Sequence, residues 1–154
     1  MLRAAADHRG TAFIEIYQNC PIFNDDAFEP LKEPASAGER LIRLEHGAPV
    51  RFGPGGSQGL RFSHHGELEA VEAEGTDPGT LITHDAHRAD PSYAFALSRL
   101  DSADFRHAPV GVFRQVEQSS YDQLMAEQLA AAQARSGPGD LGVLLAGHDT
   151  WEVR

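Results

Sequence analysis

The sequence predicts an α/β protein, and three observations carry that prediction. An Ala-rich helical pattern over 2–9 runs through Gly10 into a β-branched and aromatic stretch at 11–17. Two later helices are marked by their starts, Asp90-Pro91 and the Ser120-Tyr-Asp-Gln123 box. Short apolar runs separated by Gly, Pro and Asp fill the interval between them, as strands joined by turns would. With 154 residues, 41% of them hydrophobic and 23% charged, the chain is long enough for one domain with a core and is not of disordered composition.

The elements follow in order. Residues 2–9 read as the last turns of a helix, with basic His8 and Arg9 near its end and Gly10 as its cap. Thr11 to Tyr17 is too short for a helix and rich in Phe, Ile and Tyr, so it reads as a strand, the second half of an αβ unit. That strand stops near Cys20, because Pro21 cannot donate to a ladder. It lacks the parallel neighbours that would cover its edges. A chain that opens inside a helix is expected to be the later part of something larger.

Residues 21–26 are rich in turn formers, and Ala27 to Leu31 predicts one helical turn capped by Asp26 and bounded by Pro30 and Pro34. Residues 33–38 read as a surface linker. Arg40 to His46 and Val50 to Phe52 read as strands of a hairpin-like pair across Gly47-Ala-Pro49, and Phe52 to Gly59 as a second turn before a strand at 60–64. The glycines at 53–59 are not followed by Lys-Ser/Thr and open no helix, which removes a phosphate loop. Glu67 to Glu74, with Leu68 and Val71 three apart among four glutamates, predicts a short solvated helix rather than an acidic metal site. Leu81 to Asp85 is a strand, or a strand end before a loop. Asp90 caps a helix that starts on Pro91 and packs through Tyr93, Phe95, Leu97 and Leu100. Pro109 to Phe113 is a strand ending on Arg114. The Ser120 box opens a helix with Leu124, Met125, Gln128, Leu129 and Ala132, closed by Gly137-Pro-Gly139, and a last apolar turn spans Leu141 to Leu145.

Charge and cysteine count narrow the functional classes. A net charge of −10 argues against a broad phosphate-binding face, hence against nucleic acid as a partner. One cysteine cannot make an internal disulfide, and no signal peptide or long apolar span is visible, so the cytoplasm is expected and a membrane is not. A lone cysteine such as Cys20 is more often a small buried hydrophobe than a ligand. A thiol hydrolase would need a positioned histidine and an activating environment, and a zinc site would need several ligands at set spacing. His64-His65 and His84-x-x-His87 are weak signals for a metal. For His46, His84 and Asp85 the ordinary role is a hydrogen-bonded structural group, and for Arg114 a solvated or paired guanidinium.

Resemblance goes further. Tyr17-Gln-Asn-Cys-Pro-Ile-Phe-Asn-Asp25, Phe28-Glu-x-Leu31-Lys32, Arg43-Leu-Glu-His-Gly47, His84-Asp85, Asp90-Pro-x-Tyr-Ala-Phe-Ala-Leu-Ser-Arg-Leu100 and Gly111-Val-Phe-Arg114 resemble, in order, the C-terminal half of the beta subunit of 2-oxoacid:ferredoxin oxidoreductases. The nearest branch is the 2-oxoglutarate enzyme. The similarity extends through Tyr121-Asp122 to the closing His148-Asp-Thr-Trp151. It implies that residues 1–32 end a thiamine-diphosphate-binding domain and that 33–154 form a small β-containing C-terminal domain. It implies a complete enzyme with thiamine diphosphate, Mg2+ and a 4Fe–4S cluster, an alpha subunit, and coenzyme A, a 2-oxoacid and ferredoxin as reactants. That enzyme decarboxylates the 2-oxoacid oxidatively to an acyl-CoA.

By the same resemblance Cys20 is the fourth cluster ligand, and no catalytic residue is carried over. Asn24 and Asp25 are expected to shape the loop. The family's cysteine-rich segment and its Gly-Asp-Gly motif have no counterpart here. The expectation is therefore a truncated or split subunit that holds no complete cofactor and is inactive alone. The competing expectation is a non-catalytic fragment that keeps a subunit-contact surface.

Overall fold

The computed structural model describes residues 1–100, 104–148, 150, 151 and 153. Two compact units divide the chain, one of Met1–His8 with Ala12–Val116, the other of Arg9–Thr11 with Glu117–Arg154.

In the first unit, helix α1 (Leu2–Asp7) is followed by α2 (Glu29–Lys32), α3 (Pro34–Arg40), β1 (Leu41–Leu44), β2 (Arg51–Phe52), β3 (Gln58–Phe62), β4 (Leu68–Glu72), α4 (Ser92–Ser98) and β5 (Ala108–Gly111). Strands β2, β3 and β4 form an antiparallel sheet in that order, while β1 pairs in parallel with β5. The mixed helix and sheet content agrees with the α/β prediction.

Tertiary context overrides several local readings. Residues 11–17 are not a strand: Phe13 is 89% and Ile16 66% exposed. A ladder needs partners, and no propensity supplies them. Helix α1 ends at Asp7 with His8 extended, two residues before the predicted end. Asp26 does not cap α2; it sits at φ 60°, and Phe28 occupies the cap position. The expected linker at 33–38 is helix α3, because Pro34 is already set for a first turn and Ser36 Oγ ties that turn to the Pro30 carbonyl at 2.8 Å.

The expected hairpin of 40–46 with 50–52 does not form. Instead Leu41 pairs with Ala108 and Leu44 with Gly111, and Arg51 pairs with Gly59. Both Ile42 and Ala108 are wholly buried by this arrangement, which a local hairpin would not provide. The expected helix at 67–74 is strand β4. Leu68 and Ala70, two apart, lie against the core, and Glu69 meets Arg61 directly across the ladder at 2.7 Å. Leu68 and Ala70 share one face of the strand at a spacing of two, where the sequence suggests a spacing of three for Leu68 and Val71.

The core joins Ile42, Val50, Phe52, Leu60 and Ile82 to Tyr93 and Leu97 of α4. Phe95, predicted to pack, is 63% exposed beneath the Arg99 guanidinium. The segment 81–84 runs beside the sheet without a full ladder: Ile82 N–H donates to the Leu60 carbonyl and His84 N–H to that of Ala48.

In the second unit, α5 (Tyr121–Ser136) opens as the sequence predicts, with the Gln123 side chain accepting from the Ser120 backbone N–H at 3.0 Å, and Gly137 closes it at φ 72°. Helix α6 (Leu141–Ala146) is capped by Asp140, whose carboxylate accepts from the Val143 N–H. Leu124, Met125, Leu129 and Leu141 to Leu145 carry no buried side chain. In the closing His148-Asp-Thr-Trp151 motif, position 149 lies outside the described residues.

Candidate functional site

Cys20 lies on a closed loop. Its backbone carbonyl accepts from the Asn24 N–H at 2.9 Å, and its own N–H reaches the Asn24 carbonyl at 3.4 Å. Pro21 can form this turn because it has no donor to satisfy. The loop is held from outside as well. Asn19 Nδ2 donates to Asp25 Oδ1 at 2.7 Å, the Asp26 N–H donates to the same oxygen, and Tyr17 stacks on Phe28 with Phe105 edge-on to Tyr17 and tilted against Phe28.

The backbone N–H groups of Phe23 and then Ile22 hold the Cys20 thiol below its ordinary range; partial burial opposes them, and Asn24 adds a smaller contribution. The loop thus favours a thiolate on a partly accessible cysteine. The N–H donors also suit a sulfur bound to iron, since hydrogen bonds to thiolate sulfur tune such clusters. Four thiolates are the usual complement, and this chain has one cysteine.

His84 anchors a second group of polar residues. It is 1% exposed, and both ring nitrogens are used: Nε2 lies 2.9 Å from the Val112 carbonyl and Nδ1 3.0 Å from Tyr93 Oη. A carbonyl can only accept, so Nε2 carries the proton and Tyr93 donates to Nδ1. Burial holds His84 below the ordinary histidine range and pushes Tyr93 up to about 12. The residue is a neutral pin tying the 81–84 segment to α4 and to the chain just after β5.

Around it, His46 Nδ1 accepts from the Ala86 N–H at 3.2 Å and lies 3.5 Å from Asp85, while His87 donates to the Gln115 carbonyl and stands edge-on to His46. Arg114 donates to the Ala89 carbonyl at 2.7 Å rather than to a carboxylate. The structure therefore does not bring His84 and His87 together as paired ligands. Among the described residues no three His, Cys, Asp or Glu side chains are placed to hold a metal ion. None of the hydrogen bonds of His46, His84 and His87 goes to Cys20.

Sequence reasoning missed two features. The Tyr93 hydroxyl is invisible as a partner of His84 because the two lie nine positions apart, across a stretch of irregular chain. The N–H nest around Cys20 was legible only in part, as a Cys-Pro turn followed by Asn-Asp.

Over 99% of its length the chain is 44% identical to 2-oxoglutarate oxidoreductase subunit KorB of Mycobacterium tuberculosis (strain ATCC 25618 / H37Rv). The chain spans 41% of the length of that protein, so it is a homologue of part of the subunit, an extent that agrees with a C-terminal half. No protein-family model matches the chain, and no solved structure matches it. Among the described residues no helix is long and apolar enough to cross a membrane.

Proposed function

We propose that this chain forms part of the beta subunit of a 2-oxoglutarate:ferredoxin oxidoreductase, with Cys20 as one thiolate ligand of a 4Fe–4S cluster. The observation that carries the proposal is 44% identity over 99% of the chain. The loop adds chemical support, because its N–H donors favour the deprotonated sulfur that iron requires. When bound in the complete enzyme, thiamine diphosphate with Mg2+ supplies carbanion chemistry on the 2-oxoacid and the cluster supplies one-electron transfer towards ferredoxin.

The residues of this chain have narrower tasks. Cys20 presents a thiolate, its loop holds that thiolate fixed, and the His84 pin stiffens the segment beyond. Residues 1–32 would close the thiamine-binding domain and 33–154 would form the C-terminal domain. With one cysteine the chain cannot complete a cluster, so it is inactive without polypeptide that provides the other thiolates. The partners are the alpha subunit, ferredoxin, coenzyme A and the 2-oxoacid, in the cytoplasm; the net charge of −10 speaks against nucleic acid.

The test is co-expression with the alpha subunit and the remainder of a beta subunit, followed by iron analysis and viologen reduction driven by 2-oxoglutarate and coenzyme A. Loss of iron and activity in Cys20→Ser, with assembly intact, is the expected result. Full iron content in that variant removes Cys20 as a ligand. Assembly without iron or turnover in the unaltered chain favours the non-catalytic fragment instead.

A further inference from the structure

A cleft of about 400 Å³ lies outside both groups of residues described above, between α3 and the outer side of β1 and β2. Its position follows from strand alternation. Ile42 and Phe52 point into the core, so their neighbours Arg43 and Arg51 point the opposite way. Both arginines line the cleft, with Pro34, Ala37 and Leu41 as its apolar wall. Its volume is within the range of small-molecule sites.

Electrostatics sets these two residues, with Arg3 of α1, apart from the other arginines of the unit. Arg61 and Arg106 have carboxylate partners, Arg40 and Arg114 donate to carbonyls, and Arg88 and Arg99 lie over aromatic rings. The side chains of Arg43 and Arg51 have neither an ion pair nor a hydrogen bond among the described residues, and no Asp or Glu lines the cleft. In a chain with 23 acidic residues, two unneutralised guanidinium groups lining one cleft, from strands of two different sheets, leave a local positive site.

We propose that the cleft bearing Arg43 and Arg51 binds a small dianion, one whose paired oxyanions are a diphosphate or two carboxylates. Each guanidinium presents a planar donor fork suited to such groups, and the apolar wall accepts the body of the molecule.

The test is calorimetric titration of the full chain with inorganic pyrophosphate and, separately, with succinate, in about 0.15 M salt so that diffuse charge attraction is screened. The variants are Arg43→Gln, Arg51→Gln and, as a control, the exposed Arg135→Gln of α5. At least one dianion is expected to bind with a Kd on the order of 1 mM or tighter, weakened about tenfold or more by each cleft variant and unchanged by the control. Which dianion responds identifies the source as phosphate or carboxylate. Circular dichroism melting confirms that the variants fold, as substitutions on exposed strand positions should. If neither dianion binds, or if all three variants bind alike, the site does not exist.

Discussion

Tyr93→Phe tests the His84 pin directly. The substitution deletes one oxygen, which donates to His84 Nδ1 at 3.0 Å, and leaves the ring in place against Phe62 at 6.2 Å and beneath the Arg88 guanidinium at 5.3 Å. His84 is 1% exposed, so water cannot replace the lost donor. The other tautomer would satisfy Nδ1 no better and would abandon the Val112 carbonyl at Nε2. Leaving a buried acceptor unpaired costs about 1–3 kcal/mol, and relief of the Tyr93 hydroxyl's own burial offsets part of that. The expected net loss is about 1–2 kcal/mol, or on the order of 3–6 °C in melting temperature.

Urea denaturation followed by circular dichroism measures it, with an unchanged m value showing that the unfolded state is comparable. A cycle with His84→Leu isolates the pair: the two substitutions should be non-additive by about 1 kcal/mol. Additivity within about 0.3 kcal/mol would refute the claim that Tyr93 and His84 act as one hydrogen-bonded unit.

Three other outcomes are expected. Burial holds His84 below the ordinary histidine range, and burial does the same to His107 with Arg106 adding to it. The unfolded chain takes up these protons near about pH 6.5 while the folded chain still refuses them, so stability is full above that pH and declines as the pH falls towards the folded-state values. Urea midpoints from pH 7.5 down to 5 should decline accordingly, and a level profile contradicts the assignment of His84 as a buried neutral base. For Cys20, the rate of alkylation by iodoacetamide should rise at a pH below that of an unperturbed thiol, about 8.5, because the Phe23 and Ile22 N–H groups favour the thiolate; an inflection at or above that value removes the N–H nest. Gly111→Ala should separate β1 from β5. Its φ is +141°, and a Cβ there would lie 2.8 Å from the Leu44 carbonyl oxygen, so a loss of about 2 kcal/mol or more is expected, and a neutral result would show that the parallel pair yields easily.

The sequence by itself determined the features that depend on a few adjacent residues. The α5 start needs only Ser120 and Gln123, its end only Gly137, and the turn before β3 only its glycines. The resemblance of the Cys20 stretch to an oxidoreductase subunit was likewise legible, because it rests on residue identity in order. Tertiary structure decided whatever depends on a partner distant in the chain. Leu41 to Leu44 pairs with a strand more than sixty residues away, Leu68 to Glu72 is a strand because Leu68 and Ala70 meet the core, and Thr11 to Tyr17 is no strand because it joins no ladder among the described residues. The reason is common to all three. Backbone donors and apolar faces gain free energy only when another segment covers them, and one segment's sequence does not state which other segment will.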